Sequence, residues 1–86
     1  MNHRAARSFW KHYNALPEDV QQVANSSFAH LKQDPQHPSL HLKRVRHLWS
    51  SRVGIAYRAL AIQHEDTLVW YWIGSHAEYD TLIGRS

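Results

Sequence analysis

Apolar positions in this chain change period near its middle, and the change separates a helical part from a strand part. Phe9, Tyr13 and Leu16 follow an i, i+4, i+7 spacing, which predicts a short amphipathic helix from about Ala5 to Ala15. Leu16-Pro17 ends it. Pro17 then suits the first turn of a second helix, where Glu18 and Asp19 meet the positive end of the helix dipole. Val20, Val23, Ala24, Ser27, Phe28 and Leu31 form the stripe of that helix, and Asp34-Pro35 stops it after Lys32 or Gln33. Almost nothing joins the two, so an antiparallel helical hairpin is predicted. Gln36 to Ser39 is loop.

From Leu40 the period becomes two. Leu40 to Arg46 predicts a strand, with Leu40 and Leu42 out of phase with Val45, as at a bulge or an edge. Trp49 to Ile62 reads as one longer strand. Val53, Ile55, Tyr57, Ala59 and Ala61 share one of its faces, and Arg52, Gly54, Ala56 and Arg58 the other. Gln63-His64-Glu65-Asp66 makes a turn, and Thr67 to Ser75 is the near-continuous apolar run of a central strand. Gly74 interrupts it, and His76 to Ile83 forms a final short helix or an irregular tail. The predicted class is α+β: one domain over residues 1–86, with an N-terminal helical hairpin packed on one face of a small three- or four-stranded antiparallel sheet. The opposite face is left to the arginines.

Composition narrows what such a domain does. There is no cysteine, which excludes disulfides and thiolate metal sites and fits a reducing compartment. Eight histidines invite a metal reading, but they show no ligand spacing, so neither a metal nor a cofactor is expected. No apolar run resembles a signal peptide or a membrane span, and the expected location is the cytoplasm. The formal charge of +3 hides a segregation: no acid lies between Asp34 and Glu65, whereas Lys43, Arg44, Arg46, Arg52 and Arg58 all do. A run of this kind fits a polyanion or an acidic protein partner; the plainer alternative is a solvated basic face.

The candidate chemistry sits between Trp49 and Tyr79. Arg52 and Arg58 point the same way and, on a continuous strand, lie about 20 Å apart, a spacing for several phosphates along a backbone rather than one. Surface arginines also protect sheets against edge pairing. Lys43 falls on one face of its strand, and Arg44 and Arg46 on the other, so at least one of them joins the arginine face. Five such contacts to single-stranded RNA would give a salt slope of roughly −3.5. His76 follows Gly74-Ser75, where it can act as a general acid or base or simply hydrogen-bond a carbonyl. Tyr79 can stack on a base, give a proton or anchor the tail to the sheet. Trp70, Tyr71 and Trp72 alternate faces and serve mainly the core, and Trp49 reads as a lid over the end of the helical hairpin.

Taken together, the helical hairpin, the basic strand, Trp49-Ser-Ser-Arg-Val through Tyr57-Arg-Ala-Leu, and Trp72-Ile-Gly-Ser-His-Ala-Glu-Tyr79 resemble the RelE/ParE superfamily of toxins from bacterial type II toxin-antitoxin systems. The resemblance spans about Phe9 to Leu82. It implies an antitoxin partner and, in the RelE branch, cleavage of mRNA at the ribosome through attack of a ribose 2′-hydroxyl on the adjacent phosphate. Carried over, Arg58, His76 and Tyr79 form the catalytic set, and Lys43, Arg44, Arg46 and Arg52 bind RNA. The ParE branch implies inhibition of DNA gyrase instead, and a third option is a non-catalytic binding module. The superfamily usually opens with a strand before its first helix; only Met1 to Arg4 precede the helix here, so that strand is expected to be short or missing. With no acid in the basic region to act as a glutamate base, catalysis would lean on His76.

Overall fold

The computed structural model describes residues 2–85. Asn2–Ala5 form β1, Arg7–Asn14 α1, Glu18–Gln33 α2, Pro38–Leu40 a single 3₁₀ turn, Lys43–Val45 β2, Leu48–Val53 β3, Tyr57–His64 β4, Thr67–Ser75 β5 and His76–Arg85 α3. The strands make one sheet in the order β1-β5-β4-β3-β2, in which β1 runs parallel to β5 and every other pair is antiparallel. The α+β class, the two consecutive helices and the position of β5 between two other strands match the sequence pattern, but the helices follow β1 rather than opening the chain. The sheet itself differs from the predicted three or four antiparallel strands in three ways.

First, a strand does precede the first helix. Asn2–Ala5 carries no apolar alternation, and it is held chiefly by its backbone: Asn2 N–H donates to Asp66 C=O at 2.8 Å, and Ala6 N–H to Trp70 C=O at 2.8 Å. His3 adds a side-chain tie, its Nδ1 accepting from Trp70 Nε1–H at 3.2 Å. Second, the single strand expected from Trp49 to Ile62 is two strands. Gly54 takes a φ of +64°, a left-handed conformation that costs glycine little, and the chain reverses through Gly54-Ile55-Ala56. A Cβ on Gly54 would also meet Val23 Cγ1 at 3.2 Å. Ile55, assigned to the apolar face by its alternation, sits at the turn tip and is 94% exposed. Third, the sheet face opposite the helical hairpin is not left wholly to arginines, because α3 covers part of it.

The larger core lies between the sheet and the hairpin, where Phe9, Ala24 and Leu31 meet Val53, Ala59, Ala61, Leu68, Trp70 and Ile73, with Leu40 of the 3₁₀ turn fully enclosed. Removal of this apolar area from water is what the amphipathic stripes of α1 and α2 achieve. The smaller core lies under α3 and joins Leu48, Leu60, Trp72 and Tyr79. Both draw on β5 because of a bulge. Leu60 pairs with Trp72 and Ala61 with Trp70, so Tyr71 is the extra residue, and the tryptophans on either side of it enter different cores. Ser8 Oγ–H donates to the Tyr71 carbonyl at 2.9 Å, tying α1 to the bulge.

The segment after Gly74 is a helix with a defined start. Ser75 Oγ accepts from Glu78 N–H at 3.2 Å, while the Glu78 carboxylate accepts from Ser75 N–H at 3.0 Å. This is a capping box, which satisfies two orphan donors at once. The hydrogen bonds from Ser75, its backbone N–H first, hold the Glu78 carboxyl below the usual range. Among the described residues no helix is long and apolar enough to cross a membrane.

Candidate active site

The turn at Gly54–Ala56 changes the meaning of the two arginines. Instead of lying about 20 Å apart on one strand, Arg52 of β3 and Arg58 of β4 are direct cross-strand partners. Antiparallel geometry puts such Cα atoms roughly 4.5–5.5 Å apart. Like charges placed opposite each other weaken a sheet. Their juxtaposition is therefore a cost to the fold that an anion between them would relieve.

The neighbouring residues complete a polar pocket of about 40 Å³, lined by His41, Lys43, Ser50, Arg52 and Arg58. That volume accommodates the oxygens of one phosphate or a few waters. Lys43 reaches it because it pairs with Ser50, which puts it on the arginine face of the sheet. Ser50 forms the floor, only 2% exposed. Arg58 is half-buried, and its guanidinium donates one hydrogen bond to the Tyr57 carbonyl at 2.9 Å. No carboxylate is among the lining residues, so the pocket carries cations with no acid to compete for them.

The other predicted site residues fall elsewhere. Arg44 pairs with Trp49 on the opposite sheet face, its guanidinium carbon 6.0 Å from the Trp49 ring, so it does not share a face with Arg52 and Arg58. Arg46 lies in the β2–β3 turn with a φ of +59°. Tyr79 is 7% exposed and packs in the smaller core, which is the anchoring role rather than that of a group open to substrate. His76 is the first residue of α3. Its backbone N–H donates to Ala56 C=O at 2.8 Å, at the end of the sheet where Arg52 and Arg58 lie, and its side chain reaches Asp80 at 3.1 Å rather than lining the pocket.

One pocket residue escaped the sequence pattern altogether. His41 follows the 3₁₀ turn in the left-handed region, at φ 45° and ψ 47°, and faces the same pocket as the arginines. The available signal was modest: a histidine two residues before Lys43, after the loop Gln36-His37-Pro38-Ser39. Gly74 lies beside the pocket rather than in its lining. It pairs with Arg58, and a Cβ there would stand 2.4 Å from Trp72 Cζ2, so the bare backbone lets the indole lie across the end of the arginine row. A larger concavity, about 370 Å³ between α1 and α2, is lined by Phe9, Trp10, Tyr13 and Phe28 among others, and its only groups suited to acid–base work are Lys32 and Tyr13.

A family model described as the ParE-like toxin domain matches residues 18–81, from the start of α2 into α3. The chain belongs to the ParE-like toxin family. Solved structures extend the likeness over more of the chain. RelE in the RelB–RelE antitoxin–toxin complex of Methanococcus jannaschii aligns with a TM-score of 0.70 at 17% identity, covering 91% of this chain and 96% of that one. YafQ from E. coli strain BL21(DE3) gives 0.70 at 9% identity, with the same coverages of 91% and 96%. The toxin–antitoxin complex RelBE2 of Mycobacterium tuberculosis gives 0.65 at 19% identity, covering 87% and 96%. At these identities the likeness is one of fold. No curated protein sequence matches the chain.

Proposed function

We propose that this chain is the toxin of a toxin–antitoxin pair and acts as an endoribonuclease on mRNA at the ribosome, in the cytoplasm. The observation that carries this reading is the opposed pair Arg52 and Arg58, joined by Lys43 over the buried Ser50 in a pocket free of carboxylates. Two arginines lining one pocket can hold a phosphodiester and stabilise the extra negative charge of the pentacoordinate phosphorus. In the reaction, the ribose 2′-oxygen forms a bond to phosphorus as its proton leaves to a base, and the P–O5′ bond breaks as O5′ takes up a proton. The products are a 2′,3′-cyclic phosphate and a 5′-hydroxyl.

The antitoxin that restrains such a toxin would carry an acidic or amphipathic segment laid across the Lys43, Arg52 and Arg58 face, or along the edge offered by β2. The match to a ParE-like model favours a second reading, inhibition of DNA gyrase without RNA cleavage. Mapping mRNA ends in translating cells decides between them. Codon-phased cuts that disappear in Arg58→Ala support the nuclease, whereas intact mRNA with trapped gyrase–DNA complexes would overturn it.

A further inference from the structure

The cleavage reaction needs a base, and the sequence offered His76. The pocket offers another group. His41 lines the cation site with Lys43, Ser50, Arg52 and Arg58, while His76 points along its own helix, with Nδ1 3.1 Å from Asp80 and a side chain 49% exposed. We propose that His41 is the catalytic residue that moves the proton in the phosphodiester cleavage, which deepens the ribonuclease reading and rests on it.

The local backbone is built to hold that imidazole in place. His41 occupies the left-handed region, uncommon for a residue other than glycine and retained where the surroundings impose it. They do so here. Leu40, the residue before, is fully enclosed in the larger core, and its carbonyl accepts from Ser51 Oγ–H at 3.3 Å. His41 N–H donates to Pro38 C=O at 3.3 Å, and the turn is capped by His37 Nδ1, which accepts from Ser39 N–H at 3.2 Å. Two residues later the chain enters β2 as Lys43, itself a pocket residue. An exposed side chain on an anchored backbone, facing an arginine pair, is what a general base for a bound phosphodiester requires.

The step balances with neutral imidazole. The free ring nitrogen of His41 takes the 2′-hydroxyl proton as O2′ bonds to phosphorus; the P–O5′ bond breaks, and the departing O5′ collects a proton from water. The imidazolium then returns its proton to solvent. The charged groups facing His41 are Lys43 from β2, Arg52 from β3 and Arg58 from β4.

The test is single-turnover cleavage of mRNA on programmed ribosomes by the full chain, alongside binding of a short RNA by fluorescence anisotropy. His41→Asn is the principal variant because asparagine accepts the left-handed backbone, and His41→Ala is the second. Both are expected to bind RNA as the unsubstituted chain does and to cleave about 10² to 10⁴ times more slowly, with partial recovery of His41→Ala by added imidazole. His76→Ala, at a helix end outside the pocket, is expected to cleave faster than either His41 variant. Full cleavage by both His41 variants would overturn the assignment while leaving the ribonuclease reading intact. An unsubstituted chain that leaves RNA whole would overturn both.

Discussion

The two faces of the sheet are built on different terms. The face toward α1 and α2 is apolar nearly throughout, from Leu68 and Trp70 to Val53, and receives Phe9, Ala24 and Leu31 from the helices. The face toward α3 is divided. Leu48, Leu60, Trp72 and Tyr79 close one part of it, and Lys43, Arg52 and Arg58 with the sunken Ser50 occupy the rest. A domain this small has few positions to spare, since it buries only about 60–65% of the surface its unfolded chain exposes. It concentrates stability on one face and leaves half of the other for charge. Substitutions on the two faces should therefore fail in different ways.

The largest effect is expected from Trp70→Ala, which empties the middle of the larger core and should cost about 3–5 kcal/mol in a denaturant titration. Trp72→Ala, two residues along but in the other core, should mainly accelerate hydrogen exchange in α3 and spare α2; equal loosening of both helices would erase the distinction between the faces. Next comes Arg58→Ala. It should leave Tm nearly unchanged while slowing RNA cleavage by about 10² to 10³. It should also reduce a salt slope of roughly −2, expected from the three permanent cations of the pocket, by about 0.7. A lowered Tm with unaltered cleavage would make Arg58 an ordinary framework residue.

Gly74→Ala tests the seam between the two halves of the α3 face. Its Cβ would fall 2.4 Å from Trp72 Cζ2 and 3.1 Å from Glu78 Oε1, so a destabilisation of about 1–3 kcal/mol is expected from overpacking. Unchanged stability would mean that the indole has room to swing away. The smallest effect is predicted for Ser75→Ala, which removes one half of the α3 capping box and should cost about 0.5–2 kcal/mol. This pair also has a pH signature. The Glu78 carboxyl is lowered in the fold, so its contribution is present above the ordinary value of 4.5 and is lost as pH falls through the folded value. Glu78→Gln should flatten stability against pH in that acid window, whereas Ser75→Ala, which keeps the backbone N–H bond, should only weaken the dependence; an unaltered profile in Glu78→Gln would place its origin elsewhere.

How much of this was legible in the chain depended on whether side chains or backbone decided the structure. The stripe from Val20 to Leu31 and the apolar run from Thr67 to Ser75 marked α2 and β5 well, because burial of side chains defines both. β1 was left open as short or missing because its pairing is chiefly a matter of backbone N–H and C=O groups, to which Asn2-His3-Arg4-Ala5 gives no apolar alternation. The break at Gly54 was hidden for a subtler reason. Three residues, 54–56, separate β3 from β4, so the odd insertion preserves the alternation while the direction reverses, and Val53 and Tyr57 still face the same core. The faces were therefore assigned correctly and the arginine spacing incorrectly. Of the predicted site, Lys43, Arg52 and Arg58 come together; Arg44 turns away and Tyr79 is enclosed. His41 was invisible because its place in the pocket follows a left-handed backbone that no periodicity encodes.

The extra residue at Tyr71 has a consequence for how this chain tolerates change. It acts as a phase shifter: upstream of it β5 is read in one frame, downstream in the other, and each frame delivers a tryptophan to its own core. Deleting Tyr71 would make Trp70 and Trp72 adjacent, and a regular strand still sends adjacent residues to opposite faces, whereas deleting Val69 would make Leu68 and Trp70 adjacent and take one of them out of the larger core. Where a residue is lost from that strand thus matters more than that one is lost. A library of single-residue deletions along β5 should accept the loss of Tyr71 far more often than the loss of Val69.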